Sequence, residues 1–253
     1  MVVFHVGQYI EPMLATSGTR AAAPRRWPSL CAVCQGWGAG RVCAECRTRF
    51  ALVVPRCRRC ALPVAAGVAV CGSCLAAPPP FDAAFARVDY AYPWDRLIPA
   101  FKFHAALDLA PVFAEAIVEA CADRDSGAAP PLVVPVPLSG ARLRERGYNQ
   151  AWELARRAAR RLGGAADPNL LLRIRDTPHQ LALPPDERAG NVRGAFAVEP
   201  RRLAEVRERT IAVVDDVMTT GSTLAEIARV LKLAGAARVE VWVVARTPRP
   251  GDK

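Results

Sequence analysis

At 253 residues the chain is long enough for one full domain with a sizeable core plus a smaller satellite. Slightly over half of it is hydrophobic, yet no uninterrupted apolar run approaches the ~20 residues that span a bilayer, which excludes membrane insertion from the expected functions. The net charge of +10, carried almost entirely by arginine, favours an anionic partner such as nucleic acid or a phosphate ester, although a genome with arginine-rich, alanine-rich bias yields the same composition.

Residues 1–28 show no sustained periodicity and are expected to be a flexible tail. The opening MVVFHVGQYIEPML lacks a basic start and is broken by Gly7 and Glu11, so it does not read as a secretory signal, and the expected compartment is the cytoplasm. Over 29–78 four Cys-x2-Cys pairs follow one another: Cys31 with Cys34, Cys43 with Cys46, Cys57 with Cys60, and Cys71 with Cys74. Each pair forms a knuckle that aims two thiolates at a tetrahedral metal, so eight ligands make two structural zinc sites. A disulfide framework needs an oxidising compartment, and a redox pair explains one Cys-x2-Cys but not four. Pairing in chain order closes the shorter loops; a crossed arrangement stays open. Arg41, Arg47, Arg49, Arg56, Arg58 and Arg59 lie close enough in sequence to offset the double negative charge of each four-thiolate centre. The module closes with the stiff Ala-Ala-Pro-Pro-Pro of 76–80, a domain boundary.

Beyond it, 85–92 reads as a strand, and 94–104 and 108–122 read as helices, the second with Cys121 as a small buried residue. LVVPVPL (132–138) is an apolar strand, and 149–162 is a helix with Ala151, Leu154, Ala155, Ala158 and Leu162 on one face and Arg156, Arg157, Arg160 and Arg161 opposite. Residues 173–196 hold prolines and glycines with little periodicity, as a mobile lid would, with His179, Gln180, Arg188 and Asn191 as polar candidates. A lone loop histidine is weak ground for a general base, so His179 is not assigned one. TIAVVDD is a strand that sets Asp215 and Asp216 at its carboxyl end, 224–234 is a helix, and 238–246 a last strand. This order predicts an α/β fold, a mostly parallel sheet wrapped by helices, over 79–253.

Between the aspartates and the helix stand Thr219, Thr220, Gly221, Ser222 and Thr223. A helix start offers unpaired N–H groups and a positive dipole end, glycine allows close approach, and the hydroxyls add donors, so this stretch suits a phosphate. Thr223 with Glu226 also fits a plain capping box. The patterns of P-loops, dinucleotide folds and phosphoryl-aspartate hydrolases are missing from the sequence.

An apolar strand followed by Asp-Asp-x-x-Thr-Thr-Gly-x-Thr resembles the phosphoribosyl-pyrophosphate (PRPP) motif of type I phosphoribosyltransferases. With the four Cys-x2-Cys pairs, LIPAFKFH (97–104), VPVPLSGARLRERGYNQAWELA (134–155) and TPHQLALPPDERAGNVRGAF (177–196), the chain from about Cys31 onward resembles the ComF family, also called ComFC or GntX. The resemblance implies that Asp215 and Asp216 face the ribose, that residues 219–223 hold the 5-phosphate, and that Mg2+ accompanies PRPP. It also implies a pyrophosphate loop after the VPVPL strand, where Ser139 offers backbone donors and Arg142, Arg144 or Arg146 charge. Transfer of the phosphoribosyl group to an unspecified acceptor is the expected activity. The family's link to DNA uptake implies an alternative: a competence factor that binds single-stranded DNA and partner proteins. Aromatic residues for base stacking are sparse beside the basic helix, Tyr148 and Trp152 alone.

Overall fold

The computed structural model describes residues 28–122, 124, 130–175 and 192–248. The cysteine-rich segment opens with the antiparallel pair β1 (Pro28–Leu30) and β2 (Trp37–Ala39), so Pro28 belongs to a strand rather than to the expected tail. Helices α1 (Ala44–Phe50) and α2 (Gly72–Ala76) each start directly after a cysteine. The knuckles after β1 and at Cys57 share one turn: Gln35 N–H donates to the Cys31 carbonyl and Ala61 N–H to that of Cys57, with φ of 62° and 57° at Gln35 and Ala61.

Next come β3 (Ala83–Asp89), α3 (Trp94–Phe103), a 3-10 turn (Leu107–Leu109), α4 (Ala110–Ala120), β4 (Leu132–Pro135), α5 (Gly140–Arg146) and α6 (Gln150–Arg161). The chain finishes with β5 (Leu171–Arg173), β6 (Phe196–Val198), a 3-10 turn (Pro200–Glu205), β7 (Thr210–Met218), α7 (Ser222–Leu233) and β8 (Arg238–Arg246). The main sheet runs β3-β8-β7-β4 and is parallel throughout, with β5 and β6 forming a separate antiparallel pair. Strand alternation splits the core. Ala212, Val214, Trp242 and Val244 face α3, α4 and α6, whereas Ile211, Val213, Val241 and Val243 face α7.

Two expectations need correction. The strand bearing the acidic pair continues to Met218, so Asp215 and Asp216 lie inside it; pairing with β8 carries it on past the end of the apolar run. The 108–122 helix begins as a 3-10 turn because Pro111, lacking an N–H, suits the first turn of an α-helix and not its interior. The cysteine module packs against the α/β part: Cys31, Val42, Cys43 and Cys46 share a core with Ile98, Phe101 and Phe113. No helix among the described residues is long and apolar enough to cross a membrane.

Candidate functional site

Strand β4 and its continuation leave β7 at Val214, where Val136 N–H donates to the Val214 carbonyl at 2.9 Å, while β7 stays paired with β8 as far as Met218 with Arg246. Residues 215–218 therefore have one open edge, and a cavity of about 180 Å³ forms there. Lys102, Arg142, Arg146 and Arg173 line it together with Asp215, Asp216 and the 219–223 loop. The structure thus brings the acidic pair, the hydroxyl loop and two arginines of the pyrophosphate-loop candidate around one cleft.

Asp216 is 1% exposed and its Oδ2 lies 2.8 Å from Nζ of Lys102, near the C-terminus of α3. Burial alone would raise the Asp216 carboxyl, but the ammonium outweighs it and holds the group below the usual carboxylate range. Burial likewise opposes the Lys102 charge, and the two aspartates overcome it, raising the lysine above its ordinary value. Asp215 is pushed the other way: burial first and the neighbouring Asp216 charge second lift its carboxyl well above the usual range. One aspartate is thus neutralised by an ion pair, and its neighbour carries charge at a cost. Asp215 Oδ1 accepts from Asp216 N–H at 2.9 Å, which orients it.

The loop ends at Gly221, the N-cap of α7, in left-handed conformation with φ 83° and with no side-chain cap. The capping box is not formed. Glu226 accepts from Gly194 N–H at 2.7 Å and pairs with Arg229 at 2.9 Å, a tertiary use that local spacing does not reveal. At the first turn of α7, Thr220 Oγ1 accepts from Ser222 N–H at 3.4 Å, and the Thr220 and Ser222 hydroxyls bond each other at 2.8 Å. Hydroxyls gathered at a helix N-terminus suit an anion.

At the pyrophosphate-loop candidate, Ser139 is the N-cap of α5 and accepts from Arg142 N–H, so this backbone donor is engaged within the helix rather than offered from an open loop. Arg146 stacks 4.9 Å over Phe103 and donates to Gln150 Oε1 at 2.5 Å, which holds its charge beside Lys102. Asn149 caps α6 through Ala151 N–H and ties it to the Val136 carbonyl, fixing the loop between β4 and α6. The basic face of α6 is partly neutralised: Arg156 and Arg157 both pair with Glu153, and Arg161 approaches Glu115 at 3.8 Å. Gln180, Arg188, His179 and Asn191 lie outside the described residues.

The cysteines gather in chain order: Sγ atoms of Cys31, Cys34, Cys43 and Cys46 all lie within 4.8 Å of one another, as do those of Cys57, Cys60, Cys71 and Cys74. Backbone N–H groups point at the sulfurs, from Val33 and Cys43 to Cys31 and from Cys71 to Cys57. Burial raises the Cys31 thiol, but the N–H groups of Cys34, Cys43 and Val33 outweigh it and bring the thiol down to about 6. Four soft donors per cluster, with sulfurs supported by N–H groups, fit tetrahedral zinc. Three of the six nearby arginines make ion pairs outside the module. Arg41 pairs with Asp108, Arg47 with Glu115 and Glu119, and Arg56 with Asp89, so they latch the module to the α/β domain.

Lys102 was legible only as part of LIPAFKFH; the available signal was a lysine standing in a chain whose cations are almost all arginine. Arg173, at the end of β5, carried no signal of its own.

A family model described as a phosphoribosyl transferase domain matches residues 153–253, and one described as a double zinc ribbon domain matches residues 25–75. The chain is 36% identical to DNA utilization protein YhgH of Salmonella typhimurium over 230 residues, covering 87% of this chain and 98% of that protein. The protein of the same name in Escherichia coli is 36% identical over 229 residues, with the same coverage. Competence protein F of Haemophilus influenzae is 32% identical over 208 residues, 81% of this chain and 90% of that protein.

Proposed function

Because this chain belongs to the ComF family, together with DNA utilization protein YhgH and Competence protein F, we propose that it binds PRPP or a related ribose phosphate with Mg2+ and transfers the phosphoribosyl group to an acceptor. The observation that carries this reading is the single cleft in which a carboxylate pair, a hydroxyl-lined open helix end and the cations Lys102, Arg142, Arg146 and Arg173 converge. In this reading the chain has two units, a double zinc ribbon over 29–78 with Zn2+ on both cysteine clusters and a phosphoribosyltransferase-like domain over 79–253.

The division of labour follows from charge. Residues 219–223 donate to the 5-phosphate, and Asp215 accepts from the sugar hydroxyls, which are neutral, so acid and anion sites coexist in one loop. The C1–O bond breaks, its electron pair leaves with diphosphate, and a nucleophilic acceptor bonds to C1 and gives up its proton. Arg142 and Arg146 face the charge that develops on the departing diphosphate. Carboxylate and hydroxyl oxygens are hard donors that suit a magnesium ion, whose chemistry there is neutralisation of diphosphate charge. Lys102 keeps Asp216 ionised and in place.

PRPP with Mg2+ should raise the melting temperature of the full chain and release pyrophosphate with a suitable member of an acceptor panel, and Asp215→Asn should abolish the thermal shift. A wild-type chain that shows no shift would sink the reading. The relatives' names support a second reading, a DNA-uptake factor in which the fold binds single-stranded DNA. Its electrostatic form requires affinity that falls steeply with salt and with replacement of Arg160, an exposed cation on α6.

A further inference from the structure

Arg246 ends β8 and is 7% exposed. Its Nε donates to the Cys60 carbonyl at 2.9 Å, and its Nη1 donates to the carbonyls of Met218 at 2.9 Å, Thr247 at 2.8 Å and Thr219. Cys60 belongs to the second cysteine cluster, and Thr219 is the first residue of the hydroxyl loop. One guanidinium therefore spans the last residues of β7 and the knuckle of a metal site. The Cys60 carbonyl belongs to the turn that carries two of that cluster's sulfurs, those of Cys57 and Cys60: Ala61 N–H returns to the Cys57 carbonyl, and Cys57 N–H closes on Leu62. A planar fork with donors aimed in two directions can hold both ends together; a lysine ammonium on a flexible stem cannot.

From this geometry we propose that Arg246 is a positioning residue that makes the conformation of the phosphate loop depend on metal in the Cys57, Cys60, Cys71, Cys74 cluster. Loss of metal there frees the Cys60 carbonyl, releases one end of the guanidinium and loosens the carbonyls at 218 and 219 that set the entry to Gly221. The proposal rests on the ribose-phosphate reading for its consequence, weaker ligand binding, but the coupling itself is independent of any ligand.

The test is a double-mutant cycle on the full, zinc-loaded chain, read by amide hydrogen exchange in peptides covering 218–224 and normalised to the core amides of β8. Cys71→Ser should speed exchange in the loop about tenfold, Arg246→Met should do the same, and the double variant should add nothing further. Cys34→Ser, in the other cluster, should leave the loop unchanged relative to the β8 core amides. Additive effects, no effect of Cys71→Ser on the loop, or an equal effect of Cys34→Ser would overturn the proposal. If Arg246→Met does not fold, Arg246→Lys takes its place in the same cycle with the same expected non-additivity. Ribose 5-phosphate titration runs alongside: affinity should fall with Arg246→Met or Arg246→Lys. A wild-type chain that fails to bind ribose 5-phosphate defeats the ligand reading while the exchange cycle still decides the coupling.

Discussion

Asp215 and Asp216 are adjacent in sequence and opposite in electrostatics, and the difference lies in one lysine. Asp216 has Lys102 at 2.8 Å; Asp215 has the charge of Asp216 as its neighbour. An acid whose folded pKa is raised binds its proton more tightly in the folded chain, so its contribution to stability is lost as pH rises from the ordinary carboxylate range through the raised value. Asp216, with a lowered pKa, behaves in reverse: its stabilisation is present above the ordinary range and lost as pH falls through the folded value. Asp215→Asn should therefore melt above wild type at pH 7.5 in the unliganded chain, with the advantage shrinking toward pH 4.5. Asp216→Asn should melt below it, because the half-buried Lys102 ammonium loses the carboxylate 2.8 Å away. Thermal melts of the two variants across that range decide the matter, and equal effects of the two would refute the asymmetry. The cost that an ionised Asp215 imposes is the kind of local instability a binding group tolerates.

The loop between β7 and α7 shows what a sequence does and does not disclose at the level of elements. Gly221 at φ 83° is the residue that turns the strand into the helix, and a side chain there pays for left-handed backbone about 1–2 kcal/mol. Gly221→Ala should lower the melting temperature and, by re-aiming the first turn of α7, weaken ribose 5-phosphate binding in calorimetric titration; unchanged affinity would separate the loop from the ligand. The glycine, the hydroxyls and the acidic pair were all legible, as was β8, because apolar runs and small polar residues are local signals. The cysteine clusters were legible for the same reason, through spacing. The end of β7 was not: Asp215 to Met218 are held in strand form by pairing with β8, a long-range fact. Glu226 fits a capping box by spacing alone, and its observed partner, Gly194 N–H, lies 32 residues away. Lys102 and Arg246 escaped a role for the same reason, since each works on a segment far along the chain.

At the scale of the whole molecule, the cysteine module behaves as a wall of the core rather than an appendage. Trp94 Nε1 donates to the Phe50 carbonyl at 2.8 Å, Arg87 joins Arg47 on Glu119, and Ala84 N–H donates to the Arg58 carbonyl at 3.0 Å, so both clusters are tied to β3, α3 and α4. Cys31, Cys43 and Cys46 pack in the cluster that contains Phe101, Phe113 and Trp242. Structural zinc in small fingers supplies about 10–16 kcal/mol of apparent folding free energy at neutral pH, which is as large as the whole stability of an ordinary domain. An independent satellite would lose its fold on chelation and leave the α/β domain intact, giving two separate transitions. A shared core predicts otherwise. Stripping the metal exposes the α3 and α4 face of the sheet, so a chelator titration should lower the module's own signal and the near-ultraviolet signal of the buried Trp242 together, in one cooperative step. If the Trp242 signal survives after both metals have left, the module is a separable domain, and the arginine latches to Asp89, Glu115 and Glu119 are surface pairs of little weight.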